Sequence, residues 1–226
     1  MAKIPGKVSE WDLGINYWEE NYKHPEEMDC IGNSKDHVDY LRAILGMEEV
    51  EVKSLVDFGF GLGHLSKAMI EAFDPYRFSL CEPSEYAFLK AKDHTLNFFK
   101  PSKKREIIQT DCHSWLKSWQ KSKRLPYDLG ICTSVFQYID NKTLEEIIPL
   151  MAKSVRYLYL TLPTDKELKR QVSEMEFFDR YAIRRGKSYY RKILGPHFTI
   201  VSSRLLESKV HFDESNTLFS DLLFRT

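Results

Sequence analysis

The sequence lacks several features, and each absence excludes a class of protein. Its 226 residues carry 33 Lys plus Arg against 33 Asp plus Glu, a formal net charge of zero. That leaves no global basic field for nucleic acid or an anionic membrane surface, although a local patch stays allowed. No apolar run approaches the roughly 18 residues needed to cross a bilayer, and the opening MAKIPGKVSEWDLG has no hydrophobic signal core. The cysteines, Cys30, Cys81, Cys112 and Cys132, show no C-x-x-C spacing, and the histidines do not cluster, so no zinc or other metal site is expected. Three of these cysteines fall in or beside apolar strand-like runs and read as reduced core thiols of a cytoplasmic protein. Internal repeats and low-complexity tracts are absent.

What is present suits one α/β domain. Apolar residues make up 42% of the chain and aromatic residues 13%, enough for a substantial core. The organising stretch is Ser54 to Leu65, SLVDFGFGLGHL. Its first residues read as the end of a buried strand. Gly59, Gly61 and Gly63 follow in G-x-G-x-G spacing, and His64 to Phe73 is amphipathic. A strand, a tight glycine turn and a helix start form half of a βαβ unit that holds a nucleotide-like ligand. Glycine permits positive φ and close approach of backbone to a ligand.

Further strand-like runs are Phe78 to Cys81, Glu106 to Gln109, Tyr127 to Val135 (YDLGICTSV) and Val155 to Leu162. Helices are expected between them: one from Ser84 to about Phe99, a short one over Ser114 to Trp119, and one opened by a T-x-x-E capping box at Thr143. Before the glycine turn, His37 to Leu45 reads as a helix, with Asn33 or Ser34 as cap and Gly46 as stop. Strands alternating with helices predict a doubly wound, parallel sheet covered on both faces. The last third departs from that pattern. Asp165 to about Arg180 reads as a charged helix. Phe198 to Leu206 and Thr217 to Phe224 read as two strands, with a connection too short for a crossover and therefore antiparallel. Residues 1–35 form an expected N-terminal cap segment and 36–226 the domain, together one structural unit. Trp11, Ile15 and Trp18 fall at helical spacing, which suits a helix packed on the domain or a lid over the ligand.

The glycines do not fit the G-x-G-x-x-G of nicotinamide or flavin folds in either register. Asp57 before G-x-G-x-G, Glu82 ending the second strand, Asp111-Cys112 ending the third, and the aspartate-led fourth strand together resemble class I, Rossmann-like S-adenosylmethionine-dependent methyltransferases. The resemblance runs from about Leu41 to Thr226. It implies a mostly parallel seven-stranded sheet with an antiparallel C-terminal strand, helices on both faces, and S-adenosylmethionine as cofactor. By that likeness Gly59, Phe60, Gly61 and Gly63 pass under the cofactor, and Asp57 orients the loop and the cofactor's amino end. Glu82, next to Pro83, accepts the ribose hydroxyls, while Asp111 and Cys112 meet the adenine. Thr133 and Ser134 sit where open α/β sheets place ligands. Plainer readings stand beside these: an Asx turn for Asp57, a surface turn acid for Glu82, a helix cap for Asp111, and packing for Cys112.

The donor's methyl is already activated, so alignment supplies much of the catalysis and a general base is optional. Candidate acceptor-side residues are Gln137, Tyr138, His113 and Tyr17. His113 could equally be an exposed residue of a helix first turn. His64 meets the positive end of a helix dipole, which disfavours its charged form. Trp18 belongs to the expected lid. RYAIRRGKSYYRK, Arg180 to Lys192, holds six basic residues and three tyrosines. It suggests that Arg184, Arg185 and Tyr189 bind an anionic acceptor; the other reading is a solvated helix with its tyrosines turned inward. The expected activity is therefore methyl transfer to a small acceptor. Nucleic acid is an improbable partner, no membrane partner is expected, and the assembly is a monomer or homodimer. The alternatives are a protein or RNA methyltransferase, or a non-catalytic S-adenosylmethionine-binding regulator.

Overall fold

The computed structural model describes residues 17–19, 22 and 28–211. The strands are β1 (Ser54–Asp57), β2 (Arg77–Glu82), β3 (Arg105–Gln109), β4 (Tyr127–Thr133), β5 (Val155–Thr161), β6 (Phe198–Ile200) and β7 (Leu205–Ser208). They form one seven-stranded sheet in the order β3-β2-β1-β4-β5-β7-β6. Strands β1 to β5 pair in parallel, and β7 is antiparallel to both β5 and β6. This is the doubly wound, mostly parallel sheet with an antiparallel C-terminal strand that the alternation and the resemblance imply.

The helices are α1 (Ser34–Met47), α2 (His64–Phe73), α3 (Glu85–Lys90), α4 (Cys112–Ser122), α5 (Asn141–Ser154), α6 (Asp165–Met175) and α7 (Lys187–Leu194). A π-helical turn, Ala91–Thr95, continues α3. The central strands are buried almost throughout because both faces are covered. Leu55, Leu80, Leu129 and Ile131 pack with Leu41 and Leu45 of α1 and Leu65 and Met69 of α2. Val56, Cys81, Cys132 and Leu158 turn the other way, onto Trp115 and Leu116 of α4 and Ile147 and Met151 of α5. The period-two alternation of strand side chains sorts neighbours such as Leu55 and Val56 into opposite layers.

Four expectations about elements change. Phe198 to Leu206 is not one strand. Ser202 and Ser203 turn the chain between β6 and β7, where Val201 N–H reaches the Leu205 carbonyl at 3.0 Å and Ser202 Oγ accepts from Leu205 N–H at 3.2 Å. The expected strand at Thr217 to Phe224 lies outside the described residues, as do Trp11 and Ile15 of the expected N-terminal helix. Helix α5 is capped by Asp140, whose carboxylate accepts from Thr143 N–H at 3.1 Å; Thr143 is the third helical residue and not the cap. Helix α6 stops at Met175 because Glu176 takes a left-handed conformation, φ 53°. Gly46 does not end α1, which runs one residue further.

Candidate active site

A cavity of about 980 Å³ opens at the carboxyl ends of β1, β2, β4 and β5, as expected for an open α/β sheet. Its floor is the glycine turn. Asp57, at the end of β1, is buried; its carboxylate accepts from Ser66 Oγ at 2.5 Å and from Gly59 N–H at 3.2 Å. Burial pushes its carboxyl up to about 7, against the lowering effect of those two bonds. A Cβ on Gly59, at φ 156°, would meet a Val135 methyl at 2.6 Å, so the turn and the end of β4 touch only because no side chain stands between them. Gly61, at φ 55°, faces the Trp18 ring, which a Cβ would meet at 3.4 Å. Gly63 takes the N-cap position of α2 at φ 80°, and Phe60 is buried in the cavity wall.

Glu82 ends β2 with a carboxylate that is 5% exposed. One oxygen accepts from Gly61 N–H at 2.8 Å and the other from Ser84 N–H at 2.9 Å. It therefore ties the glycine turn to the start of α3 and is not a surface turn acid. Pro83 beside it also lines the cavity. Asp111 caps α4 through Oδ1, which accepts from Ser114 N–H at 2.8 Å, and it lines the cavity too, so capping and a ligand-side position coexist. Cys112 is buried next to it, its thiol pushed up to about 12, chiefly by burial. Thr133 and Ser134 line the cavity at the end of β4. Ser134 holds φ 53°, strained for a non-glycine residue, and its N–H bonds the Thr161 carbonyl at 2.8 Å.

The far wall is aromatic. The chain is helical at 17–19, and Tyr17 and Trp18 are both buried. Trp18 donates its indole N–H to Ser84 Oγ at 2.8 Å. Tyr138 donates to Asp179 Oδ2 at 2.6 Å, which leaves its oxygen to accept from Tyr17 at 2.7 Å. Burial is the largest of the causes that hold both phenols well above their ordinary value, so neither is a base at neutral pH. Gln137 is also buried in the wall, and its Oε1 has no partner among the described residues. His64 lines the cavity, its imidazole lowered first by burial and then by Lys67.

Four expected site residues lie elsewhere. His113 turns from the cavity to Glu146 on α5, at 3.3 Å. Arg184 is exposed outside the cavity wall. Arg185 is buried and structural: it donates to Asn141 Oδ1 at 2.7 Å, to the Phe136 carbonyl at 2.9 Å and to the Ile139 carbonyl at 2.5 Å. Tyr189 packs under its guanidinium, 5.4 Å from ring centre to carbon. Arg185 and Tyr189 thus brace the loop after β4, and neither they nor Arg184 line the cavity.

The cavity contains groups that sequence reasoning passed over. Asp29, Cys30, Glu167 and Asp179 line it. Asp29 Oδ1 is 3.0 Å from Nε2 of buried His37, whose Nδ1 is 2.6 Å from the Tyr159 hydroxyl. The His37 bond is the main cause holding the Asp29 carboxyl well below the usual carboxylate range. Six acidic residues, Asp29, Asp57, Glu82, Asp111, Glu167 and Asp179, line the wall, against Arg204 and the lowered His64. The signal missed was spatial: Asp29 and Asp179 lie in irregular segments with no motif of their own.

No protein-family model matches the chain, and no curated protein matches it in sequence. Solved structures do match its fold. One is the plantazolicin methyltransferase BamL in complex with a triazolic desmethylPZN analogue and SAH, with a TM-score of 0.59 and 14% identity over 88% of this chain and 76% of that one. Another is the N-methyltransferase NodS from Bradyrhizobium japonicum, with a TM-score of 0.56 and 14% identity, covering 80% of this chain and 99% of NodS. A third is magnesium protoporphyrin IX methyltransferase from Synechocystis with SAM bound, with a TM-score of 0.52 and 16% identity over 85% and 93% of the two chains. The fold is that of the class I S-adenosylmethionine-dependent methyltransferases.

Proposed function

We propose that this protein is an S-adenosylmethionine-dependent methyltransferase acting on a small acceptor. The observation that carries the reading is the pairing of Glu82 with the glycine turn. A carboxylate at the tip of β2, held by two backbone amides, stands beside a turn in which every second residue lacks a side chain. A vicinal diol suits that carboxylate, since each oxygen has more than one acceptor site. Gly59, Phe60, Gly61 and Gly63 then support the cofactor, Asp57 faces its ammonium end, and Asp111 and Cys112 flank the adenine. Pro83, Thr133 and Ser134 complete that end of the cavity.

The acceptor enters between Gln137, Tyr138, Tyr17 and Trp18. Segment 1–35 serves as a cap on domain 36–226, which fits the burial of Trp18 against Gly61 and of Tyr17 against Tyr138. An acidic wall disfavours a carboxylate or phosphate acceptor and favours a neutral or cationic one, which withdraws the anionic acceptor suggested by the basic segment. The four cysteines are free thiols, which supports action in the reducing cytoplasm. Among the described residues no helix is long and apolar enough to cross a membrane. Calorimetry with S-adenosylmethionine and S-adenosylhomocysteine tests the cofactor assignment, and saturable binding of both is expected. No binding at high micromolar ligand would overturn it. Detection of S-adenosylhomocysteine across a panel of amines, alcohols and thiols then reports turnover.

A further inference from the structure

Asp29, Cys30 and His37 bring one oxygen, one sulfur and one nitrogen ligand to a single point on the cavity wall, with all three ligand atoms within 4.8 Å of one another. We infer that they form a three-ligand site for a zinc-type divalent ion, with the fourth coordination position supplied from the cavity. The geometry is the argument. Tetrahedral zinc with bonds of about 2.3 Å to sulfur and about 2.0–2.2 Å to nitrogen and oxygen has ligand-to-ligand edges of about 3.3–3.6 Å. The observed edges are 3.9 Å from Cys30 Sγ to His37 Nε2, 3.6 Å from Sγ to Asp29 Oδ2 and 3.0 Å from Nε2 to Asp29 Oδ1. The two Asp29 contacts use different carboxylate oxygens; with one oxygen per residue the three ligand atoms lie within 4.8 Å of one another, so closing on an ion takes rotation of the Asp29 carboxylate and not movement of a helix.

The support around the ligands has the form metal sites use. His37 sits on α1 with Nδ1 held by the Tyr159 hydroxyl at 2.6 Å, so Nε2 is the nitrogen turned to the site. Asn33 fixes the loop twice, accepting from Cys30 N–H at 2.7 Å and donating to Asp29 Oδ1 at 2.8 Å. The mixed S, N, O set suits zinc or cobalt; magnesium and calcium want oxygen alone. On binding, the sulfur–metal bond replaces the Cys30 S–H bond and the thiol proton leaves to solvent. Asp29 and Cys30 line the cavity, so the fourth ligand is water or the acceptor, and a metal-bound acceptor loses its proton more readily. That last role rests on the methyltransferase reading; the ion site itself does not.

The test is titration of metal-stripped full-length protein with Co²⁺, followed by absorbance, with S-adenosylmethionine calorimetry on the same preparation. One equivalent of cobalt, a thiolate-to-cobalt charge-transfer band and release of one proton are expected. Cys30→Ser should abolish the band, and Asp29→Asn should weaken cobalt at least ~10-fold. The Asp29 side chain is 55% exposed, so Asp29→Asn folds and decides the matter even if Cys30→Ser does not. No cobalt binding, a band that survives in Cys30→Ser, or unchanged affinity in Asp29→Asn overturns the site. Cofactor binding without cobalt binding removes only the metal proposal; cobalt binding without cofactor binding removes only the methyltransferase reading.

Discussion

Asp57 gives the sharpest quantitative prediction. Its carboxyl is buried and pushed up to about 7, against 3.8 for an unperturbed aspartate. The folded protein therefore keeps a proton that the unfolded chain has already released between about pH 4 and pH 7. With the folded value above the unfolded one, the proton-linked stability is full below the unfolded pKa and is lost as pH rises through the folded one. A gap of about three units corresponds to about 4 kcal/mol in total, with a slope approaching 1.4 kcal/mol per pH unit. Asp57→Asn keeps the shape and both bonding partners, since the amide oxygen accepts from Gly59 and the amide nitrogen donates to Ser66, but it has no proton to lose. Urea unfolding in steps from about pH 4.5 to 7.5 should show the cofactor-free wild type losing stability with pH relative to Asp57→Asn. His64 and His211, both lowered chiefly by burial, act in the opposite sense, but they are common to both proteins and cancel in the difference. Parallel stability curves would falsify the buried-proton account. If Asp57 faces the cofactor's ammonium, binding also expels this proton. Affinity should then rise with pH up to about 7 in the wild type and stay flat in the variant.

Three further outcomes follow from the geometry. Glu82→Gln sets an amide NH₂ against Gly61 N–H or Ser84 N–H and removes the charge offered to the ribose. A loss of about 1.5–3 kcal/mol should raise the Kd for S-adenosylmethionine ~10- to 100-fold by calorimetry, and an unchanged Kd would sink the ribose assignment. Gly59→Ala puts a methyl 2.6 Å from Val135 Cγ2 and should cost about 1–3 kcal/mol by denaturation, with part of it restored by adding Val135→Ala; no restoration means the strain lies in the backbone alone. Arg185→Lys leaves the buried Phe136 and Ile139 carbonyls poorly served and should destabilise by about 2–4 kcal/mol, with the cofactor Kd unchanged. A variant of normal stability but raised acceptor KM would return Arg185 to substrate binding.

The parts of the fold that sequence reasoning recovered are those specified locally. Four-residue β1, the glycine turn and α2 form one continuous signal, and Glu82 closes the mostly apolar run Phe78 to Cys81. Alternation of such units leaves little choice of topology, which is why the sheet could be anticipated. Errors arose where two local signals compete or where a contact spans distant segments. Ser202 and Ser203 are a turn signal inside an otherwise strand-like run. Asp140 and Thr143 can each cap α5, and aspartate one residue before the helix wins. Arg185 reads as part of a solvated basic stretch because its acceptors, Asn141 and two carbonyls of the loop after β4, lie more than 40 residues earlier in the chain. The Tyr17–Tyr138–Asp179 chain is of the same kind, since no single segment contains it; Asp29, Cys30 and His37 lie within one short stretch, but their spacing matches no metal motif and only the turn before α1 brings their side chains together.

The same spatial sorting bears on how an acceptor loses its proton. Tyr17 and Tyr138 hold theirs at neutral pH, and each is already bonded, Tyr17 to Tyr138 and Tyr138 to Asp179. His113 faces Glu146, and His64 stands beside the glycine turn at the start of α2. With the phenols and histidines set aside, two routes for a protonated acceptor make opposite predictions. An amine can enter neutral, drawn from its ammonium form by solvent, and lose its proton after transfer; the rate then follows the amine's own titration and shifts when the amine is changed. Alternatively, an alcohol or thiol is deprotonated on an ion at Asp29, Cys30 and His37, and the rate then follows the metal-bound group and is lost in Asp29→Asn. A pH–rate profile whose midpoint moves with the acceptor and survives Asp29→Asn selects the first route. A midpoint fixed across acceptors and lost in that variant selects the second.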